Sequence, residues 1–206
     1  MTLTSLWSLL MVYLLLPSYA QAHKGHKHPP KLSEKNVPKF ALIAIKKSAG
    51  KGHIAKSWVQ VKQPKSVTKI TVTDPVSPTK SKKTKEWKVH FVDNAIKDGK
   101  KDLWVFLSEA GSVLSVNHRG YSTITEKDAP EEAFKVIQDK VKAGKIPKSW
   151  LQIKKPTSVT SKFYPQGKEW VVVFDNPHKA LKANKKKLYV FLNIKGYGLA
   201  VNYTGQ

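Results

Sequence analysis

His23, His26 and His28 fall within HKGHKH, three imidazoles in six residues. Short histidine-rich tracts bind transition metals because a neutral ring nitrogen is a good ligand for Cu, Ni or Zn. The chelate depends on where processing leaves the N-terminus. A cut after Ala20 leaves Gln21-Ala22-His23, whose amine, two amides and imidazole can make a square-planar Cu(II) or Ni(II) site. A cut after Ala22 leaves His23 terminal, chelating through its amine and ring. The lysines between the rings favour the opposite reading, a basic tail that binds nothing.

A second candidate is electrostatic. The chain carries 37 basic and 14 acidic residues, a formal charge of +23, and only one base, Arg119, is arginine. Lysine is a hydrated point charge without the planar fork that reads bases or grips phosphate bidentately. The charge therefore suits loose attraction to polyanions and argues against sequence-specific nucleic-acid readout. Lys80, Lys82, Lys83 and Lys85 lie in the proline-interrupted TDPVSPTKSKKTK and form the candidate contact. The alternative is a solvated hairpin extension.

Catalytic signatures are missing. There is no cysteine, no G-x-S-x-G elbow, no H-E-x-x-H and no glycine-rich phosphate loop, so the chain reads as non-enzymatic and needs no cofactor. His90 and His118 are isolated strand histidines without a visible third ligand. His53 and His178 fall in turns and receive no assignment. Glu86 and Glu169, with Asp93 and Asp175, flank one strand in each copy rather than converge, and Asp93-Asn94 and Asp175-Asn176 read as turn formers.

The elements that must carry these groups come from a duplication. Residues 1–22 read as a secretory signal, with the apolar run Leu6 to Leu16 too short to span a bilayer and a small-residue site at Ala20-Gln21-Ala22. No later segment is long and apolar enough to span; the signal, with no cysteine to carry a lipid anchor, argues for a periplasmic or released protein. Residues 23–32 form the His/Lys tail. KSWVQVKQPKSVT (Lys56 to Thr68) returns as KSWLQIKKPTSVT (Lys148 to Thr160), KEWKVHFVDN as KEWVVVFDN, and DLWVFLSEAGSVLSVNHRG as KLYVFLNIKGYGLAVNYTG. Copy one runs 33–121 and copy two 126–206, with STITEK as the join. Two long copies make a tandem domain rather than a solenoid.

In copy two, Asp128-Ala129-Pro130-Glu131 reads as an N-cap, an early proline and a capping-box acid, with Gly144 and Pro147 as the stop. Ala133, Phe134, Ile137 and Val141 keep helical spacing. Copy one matches with Pro38, Ala41, Ile45 and Gly52, its helix weakened by Gly50. Alternating patterns then predict strands near 156–164, 168–175, 186–195 and 198–204. The fold class is α+β, with two repeats of one helix on a four-stranded antiparallel meander. Trp170, Val172 and Phe174 match Trp87, Val89 and Phe91, while Val171 and Val173 become Lys88 and His90, so the tryptophan face is the buried one. The next strand is apolar on both faces. Trp104/Phe106 and Tyr189/Phe191 would serve as stacking platforms if left uncovered. Trp58 and Trp150 plug the helix-to-sheet corner, and Pro64 and Pro156 start edge strands.

The KEW-V-F, LYVFL and AVNYTG segments, behind a histidine-containing mature N-terminus, resemble a family of small exported bacterial proteins that is in turn PepSY-like or cystatin-like. Copy one departs at its end, with VNHRG for VNYTG. The resemblance implies a non-enzymatic exported module, with protease restraint, folding assistance or a metal-linked envelope role as its expected functions. Sequence and resemblance together suggest an envelope accessory module whose tail handles a transition metal. The competing expectation is a cationic protein that associates with anionic envelope polymers or extracellular nucleic acid.

Overall fold

A computed structural model of the chain describes residues 31–96, 100–179 and 181–206. His23, His26 and His28, with the signal-like run, lie outside the described residues. Copy one consists of helix α1 (Val37–Lys51) followed by strands β1 (Ser66–Pro75), β2 (Ser81–Val92), β3 (Asp102–Ser108) and β4 (Val113–Asn117). Copy two repeats the order with α2 (Ala129–Lys142), β5 (Ser158–Tyr164), β6 (Gly167–Asp175), β7 (Lys187–Asn193) and β8 (Gly198–Asn202). Each sheet is an antiparallel meander with strands in chain order. The protein is thus a tandem pair of α+β repeats, as the sequence led us to expect.

The helix boundaries differ from the sequence reading in instructive ways. Gly50 does not shorten α1, which continues to Lys51 and ends on Gly52 in the left-handed region. At the start of α2, Asp128 occupies the cap position but makes no capping hydrogen bond. Its φ of −86° and ψ of −26° are helical rather than extended. The carboxylate therefore does not reach the first-turn N–H groups. It accepts instead from Thr125 N and Thr125 Oγ1, at 2.9 and 2.7 Å. Glu131 pairs with Lys135 and forms no capping box.

Each core lies between its helix and the tryptophan face of its sheet. Trp87, Val89 and Phe91 of β2 are buried with Leu103, Val105 and Leu107 of β3, against Ala41 and Ile45 of α1. Trp170, Val172 and Phe174 repeat this against Ala133 and Ile137. Trp58 and Trp150, in 3-10 turns at Lys56–Gln60 and Lys148–Gln152, are fully buried. Truncating either to alanine would cost about 3–5 kcal/mol. The strands after these corners begin at Ser66 and Ser158, two residues beyond Pro64 and Pro156, and both are edge strands.

The second sheet faces are not open stacking platforms. Phe106 is fully buried and Phe191 nearly so. Trp104 and Tyr189 are half-buried because the segment after each last strand folds back over them. Gly120 lies on the Trp104 ring and Gly205 on the Tyr189 ring, both at positive φ. A Cβ on Gly205 would meet Tyr189 at 2.8 Å. In copy two Val171, Val173 and Phe191 form a small apolar cluster on this face.

Candidate functional site

The junction between the copies is built largely from residues that the duplication does not share, with Glu86, matched by Glu169, as the exception. Lys195, in the β7–β8 turn, corresponds to Ala110 in copy one. Its ammonium donates to Asp74 Oδ1 at 2.8 Å, Glu86 Oε1 at 2.6 Å, Ser122 Oγ at 3.2 Å and Thr123 Oγ1 at 3.3 Å. Asp74 lies in the hairpin extension that only copy one possesses, paired across from Lys82 in register. Side-chain exposure is 9% for Lys195 and 2% for Glu86, so this is an ion pair withdrawn from water. The join itself is packed here, with Ser122 and Ile124 buried and Ile124 N donating to Ile194 O.

Arg119, the sole arginine, forms a second link. Its Nη1 donates to Glu132 Oε1 on α2 at 2.6 Å, and its Nε stands 3.7 Å from Asp128 Oδ1. The copy-two counterpart of Arg119 is Thr204, and the copy-one counterpart of Glu132 is Phe40 on α1. The departure of VNHRG from VNYTG is thus an inter-repeat contact rather than a lost feature.

A third link joins the helices. Asp139 of α2 accepts from Lys51 Nζ at 2.6 Å and lies 3.0 Å from His53 Nε2. Burial pulls the His53 pKa below the ordinary histidine value, with Lys51 adding to it and Asp139 opposing it. Burial also tends to raise the Asp139 carboxyl, but the Lys51 hydrogen bond and the Lys51 and His53 charges outweigh it and leave the pKa low. Around these groups runs a cleft of about 690 Å³, lined by α1, β4, α2 and the β7–β8 turn. Tyr197 closes one end by donating its hydroxyl to Val113 O. Burial, with the nearby Glu132 charge, pushes the Tyr197 pKa up to about 12.

The lysines singled out in the sequence are not brought together, whereas His90 and His118 both meet Asp102. Lys80 sits in the β1–β2 turn, and Lys82, Lys83 and Lys85 follow on β2, all exposed. Strand alternation puts Lys83 and Lys85 on one face of the hairpin and Lys82 on the other, so they form no single patch. His90 lies 2.7 Å from Asp102 Oδ1 and stacks on Trp104. His118 donates from Nδ1 to the Asp102 carbonyl at 2.6 Å, which leaves Nε2 as its lone-pair nitrogen. Burial lowers the His118 pKa more than that hydrogen bond raises it. Among the described residues no cluster of three or more His, Asp or Glu could hold a metal ion. Asp93 accepts from Ala95 N and Asn176 from His178 N, the turn-forming contacts expected of them.

Glu86, which the sequence suggests only flanks a strand, instead converges with Asp74 on Lys195, and no motif in the sequence singles out Lys195, Asp74 or the His53–Asp139 pair. The available signal was a mismatch between copies: Lys195 against Ala110, Asp139 against Lys47, and Asp74 in unmatched chain.

A family model described as a family of unknown function (DUF6488) matches residues 1–121 and again residues 118–206. Comparison with curated proteins and with solved structures gave no match.

Proposed function

The chain belongs to the DUF6488 family, in two tandem copies, and from that premise we propose that it is a non-enzymatic exported binding module that associates with anionic polymers of the envelope or extracellular space through its lysines. The supporting observation is how the acids are used. Asp74 and Glu86 are held by Lys195, Asp128 and Glu132 by Arg119, Asp139 by Lys51 and Glu109 by Lys69. These carboxylates are taken up by ion pairs within the chain, while exposed lysines such as Lys46, Lys154, Lys155 and Lys162 make no ion pair among the described residues. Such a surface attracts phosphate or sulfate polymers without reading sequence, and the covered rings of Phe106 and Phe191 favour charge over stacking. The test is retention on heparin across a salt series. Elution should move to lower salt as charge is removed, and retention indifferent to salt would count against the reading.

A second reading rests on HKGHKH, in which His23, His26 and His28 take up Cu, Ni or Zn in the periplasm or outside the cell. Titration calorimetry of the mature protein against a variant beginning at Pro29 tests it, and equal, negligible heats would remove it. The helix on a meander sheet also supports the finer PepSY-like or cystatin-like kinship, and with it protease restraint or folding assistance.

A further inference from the structure

The geometry points to a binding site, in the cleft between the two repeats, for a small organic anion with an apolar body. The cleft of about 690 Å³ has the size of a small-molecule site and lies where such sites concentrate, between two folded units. Its charge is unbalanced. The acids that line it, Glu132 and Asp139, already face Arg119 with Lys135 and Lys51 with His53. Lys47, Lys140 and Lys145 line the same cleft and make no ion pair among the described residues.

Beside Ser48, Ser115 and Lys195, much of the remaining lining is apolar. Ala44 of α1, Leu114 and Val116 of β4 and Val136 of α2 supply surface that gains nothing from a purely hydrophilic polymer. Lysines beside aliphatic walls suit a ligand with a carboxylate, sulfonate or phosphate at one end and a hydrocarbon or aromatic body at the other. Lysine imposes no fork geometry, so the anionic group is selected by charge rather than by shape. Because α1 and α2 both contribute, the ligand would touch both repeats. This site is separate from the general polyanion surface and stands or falls independently of it.

The experiment uses the purified protein and two fluorescent probes that differ in charge, 1-anilinonaphthalene-8-sulfonate and the neutral N-phenyl-1-naphthylamine. Saturable one-to-one binding of the sulfonate is expected, with the neutral probe at least about fivefold weaker. The double variant Lys47→Gln/Lys140→Gln should weaken the sulfonate about fivefold, while Lys80→Gln/Lys82→Gln, which removes equal charge from the hairpin tip, should leave it within about twofold. All four lysines lie on the surface or at the cleft rim, and circular dichroism checks that both variants keep their fold. No saturable binding, equal binding of the two probes, or equal losses in the two variants would overturn the proposal.

Discussion

Lys195 Nζ and Glu86 Oε1 stand 2.6 Å apart across 109 positions of chain, in a pocket shared with Asp74. One ammonium serves two carboxylates from the opposite repeat, and both charges of the closer pair are almost wholly removed from water. Breaking such a pair from one side leaves a buried charge uncompensated. Lys195→Met should therefore destabilise the protein by about 3 kcal/mol in urea unfolding. Adding Glu86→Gln should recover part of that loss, because it removes the carboxylate left exposed to Asp74. A double variant no better than the single would show that the two residues are not coupled.

Arg119 offers a test specific to its side chain. Arg119→Lys keeps the charge but loses the planar donor array that faces Glu132 and Asp128. We expect a loss of about 1–2 kcal/mol, and a similar loss for Arg119→Thr, the residue copy two carries at that position. Denaturation monitored by the tryptophans reads both. A lysine variant as stable as the parent would reduce Arg119 to a surface charge.

Gly198 and Val136 make a steric prediction. A Cβ on Gly198 would stand 2.8 Å from both Val136 methyls, so β8 approaches α2 only because that residue has no side chain. In copy one the corresponding residues are Val113 and Ala44, with the bulk on the strand instead of the helix. Gly198→Ala should cost about 1–3 kcal/mol by overpacking. Val136→Ala in the same chain should return most of it, and a thermal-melt double-mutant cycle would show additive losses if the contact is not real.

The histidines set a pH dependence. His53 and His118 both titrate below the ordinary value of 6.5, so between the folded and unfolded pKa values the unfolded chain binds more protons. Stability is then full above about pH 6.5 and falls as the solution is acidified through the folded values. The low carboxyl pKa of Asp139 acts in the same direction, below the ordinary aspartate value of 3.8. Melting temperatures measured from about pH 7.5 down to 5.5 should drop, and His53→Gln with His118→Gln should flatten the curve. An unchanged slope would assign the acid sensitivity elsewhere. At the alkaline end, the raised Tyr197 pKa means stability is lost as pH climbs from 10 toward about 12.

Comparing the two copies made the cores legible. Trp87 with Trp170 and Phe91 with Phe174 persist on one face while Lys88 and His90 replace Val171 and Val173 on the other, and a period of two tells which face is inside. The corner tryptophans and the meander order came from the same reasoning. That comparison marks the junction only as mismatches, such as Lys195 against Ala110, that name no partner. A residue that joins one copy to the other need not recur, and one that does, as Glu86 does in Glu169, meets a different partner in the other copy.

What the sequence determined alone is everything local and repeated: helix, alternating strands, turn positions, the apolar face, and an excess of lysine over acid. These follow from periodicity and composition, which act over a few residues at a time. Only the tertiary structure decided which charges meet. Lys195 reaches Asp74 and Glu86, and Arg119 reaches Glu132, because the buried join sets one repeat against the other in a single arrangement. That arrangement also forms the cleft, since its walls come from four separate segments spread between Ala44 and Gly198 that no local pattern relates.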